Sequence, residues 1–376
     1  GSALGLGRGV SVAGMAGAFL PSPMAAARMA GANARVRGLA ARLLSDAQWD
    51  DLLRAEGFRG ALELLATTGY AEALAPLVGE ANPSLRRVER QLWAASARNC
   101  WRAGALVQGT ARSVFRAWWQ HWELENLKTV FRGVHHGLDH QAVRDLLIPL
   151  EQRPGLPWDA LLHESTVLGL VERTDGTHYV NPLRNAIPAY LRDETLFAIE
   201  VALDVRYYRD VAQAVQRLSG ADRAPAQLLL ETYIDILNVL WAYRYRIYYG
   251  LSPEEIVNYT LWRTWHTDAD LVRDIALGAS PQDVVARIWG DWRVDLSPLE
   301  GLAEGQMLPL LEKTLERYWR GLAVKAMRGF PFGMGVLLGY VILDELECRD
   351  VVRALEGKAI GWSPERIRQV LVRGEE

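Results

Sequence analysis

The residues best suited to metal chemistry are three histidines in one short stretch of the chain. His136 and His140 are four positions apart, the spacing at which two imidazoles on one helical face can bind zinc, and His135 is adjacent. Gly137 lies between them, however, and neither a third ligand nor a glutamate follows at a spacing typical of metal-binding motifs. The stretch favours a polar turn, and we predict no metal and no cofactor.

A glycine-rich stretch from Gly333 to Gly339 is the candidate for phosphate chemistry. A phosphate-binding loop requires Gly-Lys-Ser or Gly-Lys-Thr after a strand, and neither is present. Gly335 and Gly339 instead predict that a second helix approaches closely. The apolar run around them, residues 330–343, is shorter than the ~18 residues of a membrane span, so we interpret it as a buried helix.

Aromatic residues alternate with arginine from Trp241 to Tyr249, as on surfaces that bind single-stranded nucleic acid. Related stretches of the chain hold Phe131 and Leu355 where this one holds Tyr243, which predicts that the Tyr243 ring lies in the core. The net charge of −3 also lacks the basic excess that non-specific binding of nucleic acid requires. We therefore predict no nucleic-acid partner.

One set of polar residues occurs three times. An acid is followed after three positions by Asn or Asp and after six more by a basic residue, in copy one (Glu123, Asn126, Arg132), copy two (Asp235, Asn238, Arg244) and copy three (Glu347, Asp350, with Glu356 replacing the basic residue). The copies are evenly spaced, since the interval from Asn126 to Asn238 equals that from Asn238 to Asp350. A catalytic set would not occur in triplicate with its arginine lost once, so we predict no catalytic residues. We interpret the set as groups that satisfy buried backbone at a helix junction.

A repeated turn follows two of these copies. The sequence GLSPEEI begins at Gly250 and GWSPERI begins at Gly361, so the turn recurs at almost the same interval as the polar set. A fixed long period indicates repeated structural units, here three helical units of roughly 110 residues.

Helical elements must position these residues. Apolar residues recur with helical periodicity, for example at Val36, Leu39, Ala40, Leu43 and Leu44. Helix starts are marked by capping boxes (Ser45 with Gln48, Ser252 with Glu255) and by a capping residue before proline (Asn82-Pro83, Ser280-Pro281, Ser363-Pro364). Residues 177–180 are too short a strand candidate to define a sheet, so the predicted class is all-α.

Composition limits the remaining alternatives. Half of the 376 residues are apolar, which allows a large core and more than one domain or repeat. Two cysteines, Cys100 and Cys348, provide no disulfide framework and favour a reducing compartment. The 14 tryptophans suit wide helix–helix packing more than any one chemistry.

The repeat also divides the chain. Residues 1–29 are rich in Gly and Ala without helical periodicity, and we expect a flexible extension or a misplaced start that packs little. We assign helical repeat 1 to residues 30–124, repeat 2 to residues 125–236, and repeat 3 with a C-terminal helix to residues 237–376.

At the repeated residues the chain resembles the C subunit of bacterial and archaeal V/A-type ATPases (ATP synthases), a homologue of the d subunit of the eukaryotic vacuolar ATPase. The resemblance lies in ANARVRGLAARLL, ELENLKTVFRG, ETYIDILNVLWAYRYR and, most specifically, PFGMGVLLGYVILDELECRDVVRALEGKAIGWSPERIRQVLV near the C-terminal end (residues 32–44, 123–133, 231–246 and 331–372). Each motif is loose, but their order and spacing are specific. The extension before residue 30 and Glu356 depart from the expected pattern.

The resemblance implies three similar helical domains arranged as a funnel around a pseudo-threefold axis. It also implies a non-catalytic adaptor in the central stalk, at the cytoplasmic face of the membrane. There it would transmit torque between the shaft of the soluble ATPase head and the membrane proteolipid ring. Two other functions remain open: an α-helical repeat scaffold that binds a different protein, and a helical enzyme that uses the three histidines as ligands.

Docking to such partners is expected to be largely electrostatic. A threefold body cannot match a two-helix shaft or a many-fold ring symmetrically, and charged contacts tolerate that mismatch better than close apolar packing. The candidate partner-binding residues lie near the two ends of the chain: Arg35, Arg37, Arg42, Arg366, Arg368 and Arg373.

Overall fold

A computed structural model of the chain describes residues 23–374, apart from residues 78, 81, 153, 291–293 and 330–332. Over these residues the secondary structure is helical, and the only β pairing is an isolated bridge between Arg263 and Asp268. The predicted all-α class is therefore confirmed. Residues 177–179 form a turn that enters a helix at Val180.

The helices of the first half are α1 (Pro23–Ala40), α2 (Asp46–Arg54), α3 (Gly57–Leu65), α4 (Ala71–Leu74), α5 (Leu85–Gly104), α6 (Gly109–His135), α7 (His140–Leu146), α8 (Trp158–Leu161), α9 (Val167–Arg173) and α10 (Val180–Asp193). Those of the second half are α11 (Phe197–Gln216), α12 (Arg223–Ala226), α13 (Thr232–Tyr249), α14 (Pro253–Asn258), α15 (Ala269–Ala276), α16 (Pro281–Trp289), α17 (Glu304–Arg328), α18 (Met334–Ala359) and α19 (Pro364–Val370). A π turn, Gln227–Glu231, joins α12 to α13.

Most helix starts lie where the capping residues predict. The capping boxes at Ser45 and Ser252 are both formed, and Ser280 and Ser363 each accept a hydrogen bond from the backbone three residues later. The prediction at Asn82-Pro83 is wrong, because α5 begins two residues later and Ser84 caps it. Serine at that position can accept the free N–H of Arg87, so the preceding proline is not needed inside the helix.

Helix α1 differs from the predicted pattern at both ends. It begins at Pro23, so the described part of the extension, residues 23–29, is helical, and Met29 packs against the core. Residues 1–22 lie outside the described part. The helix ends at Ala40, so Leu43 and Leu44 follow it in a turn instead of continuing its apolar face.

The long helices α6, α13, α17 and α18 pack around a shared aromatic centre. The Tyr233 ring stacks on Trp319 at a centroid distance of 4.0 Å, and Trp118 contacts both rings at 5.7 and 6.0 Å. Helix α18 approaches α17 so closely at Gly339 that a Cβ there would lie 2.8 Å from the Ala323 carbonyl oxygen. The predicted packing role of this glycine is confirmed. Among the described residues, the helices are too short or too polar to cross a membrane.

The two ends of the chain are joined by a second hydrophobic cluster. It combines buried residues from the segment 44–92, including Leu52, with buried residues from the segment 348–371, including Val351 and Ile367. Helices α2 to α5 therefore pack against the C-terminal half of α18 and against α19, although about 300 positions separate them in the sequence.

Candidate functional site

In copies one and two, the asparagine of the repeated set holds a segment that returns to its own helix. Asn126 accepts a hydrogen bond from the Ile148 N–H at 2.7 Å and donates one to the Ile148 carbonyl at 2.9 Å. Asn238 makes the same two bonds with Leu261, at 2.9 and 2.6 Å, and also donates to Thr267. We refer to this paired backbone contact as a clasp. It pairs with the backbone N–H and C=O of a residue that lies two or three positions beyond the end of a short helix.

Copy three has a related clasp built from a carboxylate. Asp350 accepts hydrogen bonds from the N–H groups of Val372 and Arg373 at 2.9 and 2.8 Å. It also accepts one from Arg353 at 3.1 Å. A carboxylate only accepts, so this clasp replaces the N–H and C=O pair of the other copies with two N–H groups.

The three clasps differ by one residue in length. The held residue follows the Asn or Asp by 22, 23 and 22 positions in copies one, two and three. In each copy the helix ends near a glycine with positive φ, which is 69°, 59° and 76° at Gly137, Gly250 and Gly361. This glycine follows Asn126 and Asp350 by eleven positions but Asn238 by twelve. The single extra residue of copy two therefore lies before its glycine.

The side chain after each glycine turn repeats as well. Two positions beyond each glycine, a capping side chain accepts the N–H three residues later and starts a short helix, namely Asp139 for α7, Ser252 for α14 and Ser363 for α19. Copies one and three have a further glycine in the long helix, and a Cβ at Gly133 or Gly357 would lie 2.5 Å from Val143 or 2.7 Å from Ile367. The short helix can approach only because these positions lack a side chain.

The acids of copies one and two are buried but have different partners. Glu123 accepts a hydrogen bond from the Trp158 indole at 3.3 Å, and burial raises the pKa of Glu123 to about 7. Asp235 is fully buried and accepts the backbone N–H groups of His266 and Thr267 at 3.0 and 3.2 Å. Asp235 therefore stabilises the loop that the copy-two clasp also holds.

The acid of copy three reaches the other end of the chain. Glu347 accepts a hydrogen bond from the Leu44 N–H at 3.1 Å and another from the Tyr70 hydroxyl at 3.1 Å. Burial, reinforced by the charge of nearby Asp344, raises the pKa of Glu347 to about 8. The side chain thus joins α18 to the N-terminal segment as a largely neutral acid at neutral pH.

The basic residues of copies one and two make matching ion pairs. Arg132 pairs with Glu200 on α11 at 2.6 Å, and Arg244 pairs with Glu312 on α17 at 3.3 Å. In both pairs the glutamate lies 68 positions after the arginine. Both pairs are partly exposed, so each contributes about 1 kcal/mol or less.

Copy three lacks this ion pair. Burial raises the pKa of Glu89 on α5, and the like charge of Glu356 raises it further. Two positions after Glu356, Lys358 donates to the carbonyls of Leu53 and Ala55 at 2.5 and 2.6 Å. At the end of α18, Lys358 thus holds the N-terminal segment, whereas the negative charge of Glu356 repels Glu89 of the same segment.

A buried polar hub lies where α6, α13 and α18 meet. His121, Tyr233 and Glu345 each precede the Asn or Asp of their copy by five positions, so they are spaced as evenly as the copies themselves. His121 Nε2 lies 3.9 Å from Glu345, while Arg349 donates to Glu345 at 2.5 Å and to the Tyr233 hydroxyl at 3.1 Å. Burial raises the pKa of Glu345, but the charge and the hydrogen bond of Arg349 lower it overall, whereas burial lowers the pKa of the neighbouring His121.

The repeated set did not include these hub residues, because their types differ from copy to copy. Their spacing was available in the sequence, since any position offset equally from Asn126, Asn238 and Asp350 has the same interval. The shared interval alone therefore does not single them out, and their mutual contacts are what identify them.

Two of the arginines expected to bind partners instead join the ends of the chain. Arg368 pairs with Asp50 at 3.2 Å, and Arg373 pairs with Asp46 at 2.5 Å. Both aspartates belong to α2, so these ion pairs add to the hydrophobic cluster between the N-terminal and C-terminal segments.

Internal contacts also occupy Arg37 and Arg42. Arg37 donates to the Met327 carbonyl at 3.2 Å, which ties α1 to the end of α17. Arg42 lies 3.7 Å from Glu72 in an exposed ion pair.

Arg35, Arg37 and Arg366 are the exposed members of the set that form no ion pair with the described residues, and of these only Arg37 donates to a distant helix. The Arg366 guanidinium lies over the Trp362 ring at 4.3 Å, and Arg35 has no side-chain hydrogen bond within the same part of the chain. These two side chains remain available to a partner.

The three histidines do not converge. The His135 and His136 rings contact each other at a centroid distance of 5.2 Å at the end of α6, and His135 also lies 3.3 Å from the Tyr190 hydroxyl. The His140 ring instead faces His163 at a centroid distance of 6.1 Å. Within the described ranges, no group of three or more His, Cys, Asp or Glu side chains is arranged to hold a metal ion.

Comparison with known proteins covers nearly the whole chain. Residues 32–370 match the family model described as ATP synthase (C/AC39) subunit. The A-type ATP synthase C subunit of Methanocaldococcus jannaschii is 24% identical over 342 residues, which span 90% of this chain and 85% of the relative. The proteins of the same name from Pyrococcus horikoshii and Archaeoglobus fulgidus are also 24% identical and are covered over 89% and 94% of their length.

The family model spans the hub, the three glycine turns, the clasps of copies one and two, and Asp350 of the third clasp. The resemblance seen in the sequence is therefore confirmed. The chain belongs to the ATP synthase (C/AC39) subunit family and is a non-catalytic member of the complex.

Proposed function

We propose that this protein is the central-stalk adaptor of a rotary V/A-type ATPase. In this role it couples the rotating shaft of the soluble head to the membrane proteolipid ring, as a peripheral protein at the cytoplasmic face. The observation that carries the proposal is the family match over residues 32–370, together with relatives named as the C subunit of A-type ATP synthases.

The recurring contacts support three equivalent units around a central axis. Three clasps, three glycine turns and two matching ion pairs recur at nearly constant intervals along the chain. The hub places residues of the same position in each copy within one cluster, as a pseudo-threefold axis requires. Along the chain we retain the assignment of repeats 1, 2 and 3 to residues 30–124, 125–236 and 237–376. In space we propose that residues 44–92 of repeat 1 pack as part of the third unit, because they lie against α18 and α19.

A torque adaptor must resist deformation between its two docking faces. Arg349 and Arg353 of α18 each pair with Glu316 of α17, at 2.9 and 3.1 Å, and Glu316 is almost fully buried. Separating such a buried network would expose uncompensated charge, at a cost of roughly 3–5 kcal/mol. This network of Glu316, Arg349 and Arg353 therefore suits a body that transmits force without opening.

Docking is proposed to be electrostatic and to involve Arg35 and Arg366. Its affinity for shaft or ring subunits is expected to fall with salt, because the screening length shortens from ~10 Å at 0.1 M to ~3 Å at 1 M. An affinity that is unchanged or stronger at high salt would contradict this and would indicate an apolar joint.

The experiment is reconstitution of the ATPase from its purified subunits with and without this chain. The adaptor function predicts that omission separates the soluble head from the membrane ring and abolishes ATP-driven ion transport while the head still hydrolyses ATP. Coupled transport without the chain would leave the alternative, a helical scaffold that binds another protein.

A further inference from the structure

A cavity of about 320 Å³ opens beside the copy-two clasp. Its walls come from α11, from α12 with the π turn, and from the loop after α14, residues 259–265. Leu261, which Asn238 holds by both backbone groups, forms part of the wall. The cavity therefore lies against a rigid segment, and the bridge between Arg263 and Asp268 fixes the loop further.

Three exposed arginines line this cavity: Arg209, Arg223 and Arg263. None of them has a carboxylate within ion-pair distance in the described part of the chain. By contrast, Arg206, one turn before Arg209, pairs with Asp210 at 2.9 Å. The Arg209 guanidinium only lies over the Trp262 ring, at 5.6 Å. The lining combines these three cations with a single acid, Glu231, and this excess of positive charge suits an anion.

The inner wall carries a buried acid with an unused oxygen. Glu231 is 4% exposed, and its Oε2 accepts a hydrogen bond from Gln227 at 2.9 Å, across the π turn. Its Oε1 has no hydrogen-bond partner among the described residues. Burial raises the pKa of Glu231, although the hydrogen bond from Gln227 and the charge of Arg223 oppose this shift. In its protonated form the carboxyl group can donate a hydrogen bond to an anion.

The π turn that positions Glu231 is held by the core. Trp319 donates from its indole N–H to the Leu229 carbonyl at 2.7 Å, inside the turn Gln227–Glu231. Single π turns within helices occur frequently at functional sites because they re-aim side chains. Here the turn places Gln227 and Glu231 on the wall of the cavity.

We propose that this cavity binds a phosphate-bearing small molecule, with Arg209, Arg223 and Arg263 around the phosphate and Glu231 donating to one of its oxygens. A phosphate monoester carries nearly two negative charges and three acceptor oxygens, which planar guanidinium groups bind in pairs. Tyr208 and Trp265 supply aromatic surface beside it. The volume is in the range of small-molecule sites, at their lower limit of roughly 300 Å³, and favours a compact ligand over a protein segment.

Isothermal titration of the isolated full-length chain with inorganic phosphate, tripolyphosphate and ATP at low salt tests the proposal. We expect saturable binding of at least one probe with one site per chain. Replacing Arg209, Arg223 and Arg263 together by alanine should weaken binding at least 100-fold. The matched control replaces three exposed arginines elsewhere, Arg54, Arg59 and Arg273, and removes the same charge. It should weaken binding less than threefold.

Two further measurements separate the site from general charge attraction and from misfolding. Glu231→Gln, which keeps a donor, should retain binding within threefold, whereas Glu231→Leu should weaken it about tenfold. If the circular dichroism of the triple variant differs from that of the parent, the single variants Arg223→Lys and Arg223→Glu take its place. Binding should then be weaker in Arg223→Glu than in Arg223→Lys. A ligand-induced rise in melting temperature should accompany binding and disappear with it.

Three outcomes would overturn the proposal: no saturable binding, equal loss in the control triple variant, or unchanged binding in the cavity variants. If the parent chain bound none of the three probes and the triple variant failed to assemble with the ATPase, the arginines would instead belong to a protein interface. Because titration uses the isolated chain, its failure is independent of the adaptor function, which rests on reconstitution.

Discussion

Copies two and three build the same clasp from different materials. In copy two, the neutral amide of Asn238 holds a residue 23 positions later in the sequence. The ion pair of the same copy, Arg244 with Glu312, also joins residues of the second half of the chain. In copy three, a carboxylate holds Val372 and Arg373, and the partners of Glu347 belong to the N-terminal part of the chain. One unit is closed locally and the other across the whole sequence.

This difference shows where charge enters the fold. Local closure needs only a short loop, whereas closure across the chain must hold together two segments that diffuse independently in the unfolded state. Across the chain, copy three uses two arginine–aspartate pairs and a lysine that donates to two carbonyls, and its own local clasp is a carboxyl group instead of an amide. Copy three should therefore be the more sensitive of the two to charge, pH and substitution.

The largest effect should come from removing the clasp itself. Asp350→Ala leaves two N–H groups without partners and removes a counter-charge from Arg353, so we expect a loss of roughly 3–5 kcal/mol in the free energy of unfolding. Asn238→Ala leaves only neutral groups unpaired and should cost roughly 2–3 kcal/mol. Chemical denaturation monitored by circular dichroism provides both values.

The swap variants sharpen this contrast. Asp350→Asn directs an N–H at a backbone N–H and should lose about 1–2 kcal/mol, although it keeps the size of the side chain and matches the other copies. If Asp350→Ala lowered the free energy of unfolding no more than Asn238→Ala does, charge would contribute nothing to the clasp of copy three.

Glu347 should make closure across the chain depend on pH. Its pKa is raised from the usual 4.5 to about 8, so above pH 4.5 the unfolded chain loses this proton while the folded chain keeps it. The free energy of unfolding therefore falls as pH rises toward 8 and levels off above it. In Glu347→Gln this titration is absent, and the variant should gain roughly 2–4 kcal/mol over the parent between pH 5 and pH 9.

The measurement is the difference in melting temperature between Glu347→Gln and the parent across that pH range. Glu63→Gln, a change at an exposed carboxylate, serves as the control and should follow the parent at every pH. A Glu347→Gln curve parallel to that of the parent would show that Glu347 titrates normally.

The sequence predicted the class and most helix starts because those depend on local chemistry. Ser252, Ser280 and Ser363 cap helices through backbone groups three positions away, and an apolar period marks a helix without knowledge of its neighbours. The constant interval between copies could also be read directly, since it compares the chain with itself. Asn82 failed because a competing cap, Ser84, lies two positions later.

Contacts between distant segments could not be predicted in the same way. Arg368 and Arg373 lie in an arginine-rich stretch typical of a docking surface, but each forms an ion pair with an aspartate of α2, more than 300 positions earlier in the sequence. Nothing in the local sequence distinguishes an arginine that binds a partner from one that closes the fold. The same holds for Arg209, Arg223 and Arg263, which are scattered in sequence and meet only around a cavity.

A smaller effect should follow from filling the glycine beside the third turn. Gly357→Ala would place a Cβ 2.7 Å from Ile367, and we expect a loss of about 1–3 kcal/mol as α19 is displaced. Copy two has Tyr245 at the corresponding position and accommodates it with one additional residue before Gly250. Gly321→Ala on α17, where a Cβ meets nothing within 4 Å, is the control and should be neutral or stabilising. Equal thermal stability of the two variants would contradict the packing argument.

The smallest effect tests the one basic position that copy three lacks. Glu356→Arg would replace the repulsion of Glu89 by an attraction and recreate the pair seen at Arg132 and Arg244. Those pairs are partly exposed, so we expect a gain of only about 0.5–1 kcal/mol, and the gain should shrink in 1 M salt as the charges are screened. Glu356→Gln removes the repulsion alone and should give about half of it. If the arginine variant were less stable than the parent, Glu356 would stabilise the contact between α18 and α5 through an interaction other than its repulsion of Glu89.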